Sequence, residues 1–289
     1  MQESERPFLV QNLADLPDGF QLPVAQGLPP DQAAQVILMI PHHTQTRTKR
    51  QRFVPPQVLV FTAQGVLHVQ AGLSPGQPPT ATYLRGADLL YAQHSLILLY
   101  GCLELAGEAQ GHGVRIVVEY NTVGLELLLP ALQQFLRLAY APAPAAAPQD
   151  NQSQTLLQKL TAQSFKFESG LRFYALQPDE PLLGFVFQPR IVQRLWHLFN
   201  RGIAPAALLA LTERTVILIE EERIKGASYG WLITFCPRRY LAGVETRPKR
   251  QWCEVSVRLT RNEATWEHRV MLDNEKAQAW EALWVNPNQ

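Results

Sequence analysis

The chain has 289 residues, 46% of them hydrophobic and 18% charged, a globular composition long enough for two domains of ordinary size. A formal net charge of +1 leaves no global field to draw nucleic acid or an anionic membrane to the whole surface, so any such binding must be local. Three cysteines, Cys102, Cys236 and Cys253, are odd in number and lack the CxxC spacing of a metal site, which points to buried thiols in a reducing, cytoplasmic compartment.

In chain order, a polar start leads into a stretch broken by Pro17 and Pro23, without the apolar core of a signal peptide. Leu28-Pro29-Pro30-Asp31 follows, and it returns as Leu176-Gln177-Pro178-Asp179. Pro30 matches Pro178 and Pro41 matches Pro189, both 148 residues on. Pro55 matches Pro205, Leu59 matches Leu209, Thr62 matches Thr212 and Val66 matches Val216, all 150 residues on. The shift of two places a length change in residues 45–52, as in a connection, because loop closure depends only weakly on length. Hydrophobic character tracks between the matched prolines, which separates this repeat from chance pairing in a chain with 22 prolines.

Strand signals dominate each half. Residues 58–62 and 66–69 around Gln64-Gly65, and residues 207–212 and 215–219 around Glu213-Arg214, each read as two short strands about a tight turn. Further β-like runs are 96–105 and 114–120 in the first half, and 231–235 and 253–259 in the second. Alternation in Glu254-Val255-Ser256-Val257-Arg258-Leu259 calls for an antiparallel sheet with one solvated face. Each half ends in a helix. Pro130 opens the first, with a stripe of Leu132, Phe135, Leu136 and Ala139. Asp273 or Asn274 caps the second, with a stripe of Ala277, Trp280, Leu283 and Trp284. Between the halves, the alanine-proline tract 141–150 cannot hold a core and reads as a semi-stiff spacer, followed by a short amphipathic helix over 154–162.

Several strands closed by one amphipathic helix, twice over, resemble a tandem of pleckstrin-homology-like (PH-like) domains of the bacterial and GRAM type. The resemblance is carried by the hairpin Leu209 to Ile219 and by Trp280 in the closing helix. It implies a mainly β (α+β) fold of two tandem antiparallel β-barrels, each closed by a C-terminal α-helix. Domain 1 then spans residues 1–140, the linker and short helix 141–164, and domain 2 residues 165–289. The copies have diverged: Gln64-Gly65 replaces the charged turn, and all six tryptophans lie in the second half.

The candidate ligand-binding residues are two basic clusters. Arg47, Lys49, Arg50 and Arg52 form an acid-free run ending in Phe53, beside the loop where phosphoinositide-binding members of the family hold a headgroup. Guanidinium groups suit phosphate through bidentate hydrogen bonds. Its counterpart, residues 190–201, interleaves Arg194 and Trp196 with apolar residues, as in a docking edge, a membrane-inserting hairpin or a buried contact. A third cluster, Arg247, Lys249 and Arg250 beside Trp252, suits stacking of nucleic-acid bases, but the near-zero net charge argues against that partner. His42-His43 points to opposite faces of a strand, and the other histidines lack ligand spacing, so no metal and no cofactor is expected. With no glycine-rich phosphate loop and no nucleophile elbow, no catalytic residue is named and the chain reads as a non-enzymatic binding or scaffold protein. Its expected partner is a protein, another copy of itself included; the alternative is peripheral association with anionic lipid headgroups through the basic hairpin of domain 1.

Overall fold

The computed structural model describes residues 6–46, 51–74, 76–140, 150–195, 199–224 and 228–285. Strand accounts for 50% and helix for 29%, so the chain is mainly β, built of several antiparallel sheets. Among the described residues no helix is long and apolar enough to cross a membrane. Contacts divide the chain into two compact units, one of residues 1–89, 94–139 and 224–228, the other of residues 90–93, 140–223 and 229–289.

Unit 1 runs β1 (Phe8–Val10), α1 (Asp18–Gly27), β2 (Ala34–Ile40), β3 (His43–Thr46), β4 (Gln51–Val54), β5 (Gln57–Thr62), β6 (Gly65–Gln70), β7 (Thr80–Arg85), β8 (Leu89–Ile97, whose residues 90–93 belong to unit 2), β9 (Tyr100–Ala109), β10 (His112–Asn121) and α2 (Leu125–Ala139). One sheet has the order β1-β2-β5-β6-β7; β10-β9-β8 and the small pair β3-β4 complete the strands. Alternation along the first sheet sends Ile37, Met39, Val58, Val60, Leu67 and Val69 to one face, where Leu16, Phe20 and Val24 of the N-terminal segment and α1 cover them. On the other face, Phe61 meets Phe135 of α2 edge to face at 6.4 Å between ring centres.

Unit 2 contains α3 (Asp150–Gln163), α4 (Phe165–Gly170) continued by a π-turn over Leu171–Ala175, β11 (Leu182–Gln188), β12 (Ile191–Leu195), β13 (Phe199–Ala204), β14 (Ala207–Thr212), β15 (Thr215–Ile224), β16 (Ser228–Pro237), β17 (Leu241–Pro248), β18 (Cys253–Arg261), β19 (Ala264–Leu272) and α5 (Asn274–Val285). Its sheets have the orders β16-β15-β14-β11 and β17-β18-β19, with β12-β13 as a separate pair. Trp280 of α5 is fully buried. Ser153 of α3 accepts the N–H of Leu182 at 3.2 Å, covering the edge of β11.

From α1 in unit 1 and α4 in unit 2 onward the elements follow the same order, and the first rungs of two strand pairs correspond. Ala34 pairs with Thr62, a bulge follows, and Val36 pairs with Phe61; Leu182 pairs with Thr212, a bulge follows, and Gly184 pairs with Leu211. His43 opposite Val54 matches Ile191 opposite Ala204. At that first rung the two strands are displaced by 148 and 150 residues; one of the two extra residues is taken up at once by a bulge between Ile191 and Val192 that β3-β4 lacks, and the other lies beyond the Arg194–Asn200 rung, which answers to Thr46–Gln51.

Four expectations are corrected. No closed barrel is found: each unit holds open sheets, and β7 ends one of them with no strand on its outer edge among the described residues. The run 96–105 is two strands, because Leu98 adopts φ +47° and turns the chain with Leu99. Helix α2 starts at Leu125, so Pro130 lies inside it, where a burial stripe from Leu128 to Ala139 offsets the lost N–H. Pro23 likewise sits within α1, in a stretch that its two prolines mark as broken.

Candidate functional site

Each unit has the same threonine-locked turn. Gly65 donates its N–H to Thr62 Oγ1 at 3.0 Å, and Thr215 donates to Thr212 Oγ1 at 2.9 Å. The chain segment after the first helix folds back alike in both: Gln32 N–H donates to Pro29 O, and Glu180 N–H to Gln177 O. The chemistry then diverges. In unit 2 the buried Glu180 carboxylate accepts from Thr212 Oγ1 and, at 3.0 Å, from Arg214 N–H. In unit 1 the corresponding side chain is the amide of Gln32, and Tyr83 Oη lies 3.1 Å from Thr62 Oγ1.

Beside this turn, unit 1 opens into a groove of about 890 Å³. Gly27 to Pro30 wall one side, β7 residues Ala81, Thr82, Tyr83 and Arg85 form the floor, and the β9-β10 hairpin with His112 and Val114 closes the other side. Gly86 N–H donates to Gln64 O at 2.8 Å and continues the β6-β7 ladder. Hydrogen-bonded pairs therefore fall at Leu84, Thr82 and Thr80, while the N–H and C=O groups of Ala81, Tyr83 and Arg85 point away from β6. At the far end Arg85 is ion-paired with the buried Asp88, which holds the guanidinium's acidity even weaker than usual.

The corresponding place in unit 2 is filled. Arg238 N–H donates to Arg214 O as Gly86 N–H does to Gln64 O, so Thr234 and Thr82 stand at equal distances before the same turn. Val114 and Trp266 are each two residues past the start of the last strand of their unit. In unit 2 the segment Leu90–Gln93 lies along β16: Gln93 Nε2 donates to Thr234 Oγ1 at 3.1 Å, and Tyr91 stacks on Trp266 at 4.5 Å.

Of the sequence-selected residues, Arg47, Lys49, Arg50 and Trp196 lie outside the described residues. Arg52 is exposed on β4 and pairs with Glu119 at 3.3 Å, which ties down one cation of the first cluster. Arg194 is on β12 opposite Asn200, and its side chain lies outside the description. The groove residues escaped the sequence because Tyr83, Thr82 and Val114 carry no motif and meet only through the turn of the chain. Among the described residues no three histidine, cysteine or acidic side chains are grouped to hold a metal ion. Cys102, Cys236 and Cys253 are unbridged. No protein-family model matches the chain, and no match to a curated protein is found.

Proposed function

We propose that this chain is a non-enzymatic, cytoplasmic binding or scaffold protein built from two PH-like units, which presents sheet edges to a protein partner. The observation that carries the reading is the open outer edge of β7, bordered by a groove whose counterpart in unit 2 already holds an extended segment. Exposed strand edges are templates for pairing with another chain. The recurrence of register and bulge in β2-β5 and β11-β14 supports two copies of one domain. A chain of two such copies, one with its edge filled and one open, suits a scaffold that keeps one edge for a partner.

Affinity capture from native lysate, with the full chain as bait and vesicle co-sedimentation in parallel, tests the proposal. Saturable capture of a protein, with no binding to anionic vesicles at low salt, is the expected result. Vesicle binding without protein capture overturns it in favour of the membrane alternative, for which the Arg52–Glu119 pair leaves one cation fewer.

A further inference from the structure

We infer that the groove beside β7 receives an extended strand of another protein, one that carries an aromatic side chain followed two residues later by a side-chain amide. The inference rests on reading the two units as copies of one domain, and it specifies the partner's chemistry. In unit 2 the equivalent place is occupied by Leu90-Tyr91-Ala92-Gln93, whose ring stacks on Trp266 and whose amide reaches Thr234. The groove of unit 1 offers matching parts: Thr82 at the position of Thr234, Val114 at that of Trp266, and outward backbone groups at Ala81, Tyr83 and Arg85. Backbone pairing would supply affinity and the groove would read the aromatic side chain, as in strand addition to a sheet edge.

Two observations narrow the occupant. Arg85 and Asp88 already neutralise each other, so the anchoring residues need no charge and binding should resist salt. A second copy of this chain is a poor fit. The unit 2 strand that corresponds to β8 is β17, which places Gly243 where Tyr91 stands and Glu245, held by Arg247 and Arg258, where Gln93 stands. A strand without a ring would leave the groove unfilled.

The probe is a labelled synthetic peptide with the sequence of residues 87–95, titrated into the full chain and followed by anisotropy, beside the same peptide carrying Tyr91→Ala. Saturable binding of the first and at least about tenfold weaker binding of the second are expected, since a buried aromatic contact and its stacking are lost. Ala81→Pro in the chain removes an outward N–H without touching the β6 ladder, and should weaken the peptide about tenfold while leaving the melting temperature in place. Val114→Trp recreates the platform of unit 2 and should tighten the tyrosine peptide alone. Absence of saturable binding, or affinity indifferent to both chain variants, overturns the inference. Concentration-dependent self-association abolished by Ala81→Pro also overturns it, by making a second copy the occupant. If the peptide fails while the parent and Ala81→Pro chains capture a protein equally well, only this inference falls; if the parent chain captures nothing either, the binding-module reading falls with it.

Discussion

Thr62 and Thr212 stand 150 residues apart and make the same turn. Each hydroxyl accepts the N–H of the residue three positions on and faces that residue's carbonyl oxygen, at 3.2 Å from Gly65 O and 2.9 Å from Thr215 O. Thr212 alone also serves a buried carboxylate, that of Glu180. Replacing either threonine by valine keeps the shape and strips the hydroxyl. We expect Thr62→Val and Thr212→Val each to destabilise its unit by about 1–3 kcal/mol, the penalty of unsatisfied buried polar groups, with Thr212→Val the larger. Because all six tryptophans belong to unit 2, urea titration followed by tryptophan fluorescence reads Thr212→Val, and circular dichroism reads Thr62→Val. Equal and negligible effects would show that the shared turn is not a stability element.

Burial pushes the pKa of Glu180 up, against hydrogen bonds from Thr212 and Arg214 that pull it down. The folded state therefore favours the protonated acid. Its contribution to stability is present below the unfolded value and is lost as pH rises through the folded one. Glu180→Gln, which places in unit 2 the residue type that unit 1 carries as Gln32, should gain stability relative to the parent as pH rises from 4 to 7. Fluorescence-monitored urea midpoints at the two pH values test this; a gap between variant and parent that stays constant would contradict it.

His68 and His94 behave in the opposite sense. Both are buried, His68 beside Gln57 at 2.8 Å and His94 beside Tyr120 at 2.5 Å, and desolvation lowers each pKa from 6.5 to about 4. Each neutral imidazole thus contributes stability above pH 6.5 that is lost as pH falls through about 4. Proton NMR of the imidazole C2 protons should find two histidines that stay neutral at pH 5. Two resonances titrating near 6.5 would refute the assignment.

Gly101 packs under the ring of Tyr120, where an added Cβ would lie 2.3 Å from a ring carbon. Tyr120 cannot move aside, because it is buried and held by His94. Gly101→Ala should destabilise unit 1 by about 1–3 kcal/mol through overpacking, whereas Gly113→Ala, with open space around it, should be nearly neutral. Thermal melts by circular dichroism compare the two, and similar melting temperatures would count against the packing argument.

Local pattern carried much of the fold. The two-residue period of Glu254 to Leu259, the apolar stripe of Leu132, Phe135, Leu136 and Ala139, and the offsets of 148 and 150 are properties of neighbouring residues, and the same spacings reappear in the strand registers. Where tertiary packing overrides a local rule, the structure departs from the pattern. Prolines inside α1 and α2 are tolerated because buried faces outweigh a missing hydrogen bond, and Leu98 turns at positive φ although leucine is no turn former.

The candidate site divides along the same line. Charge runs are visible in a sequence, and Arg47, Lys49, Arg50 and Arg52 form one; of these four only Arg52 is described, and it is paired with Glu119. By itself the sequence determined that the chain is β-rich, and its offsets of 148 and 150 match the strand partners of β2-β5 and β11-β14. Tertiary structure alone decided that β7 ends a sheet with three residues' backbone groups facing a groove, while the equivalent edge in unit 2 holds Tyr91 and Gln93. The reason is physical: pairing at a strand edge uses backbone groups that every residue carries, so nothing in residue identity marks which edge is left open.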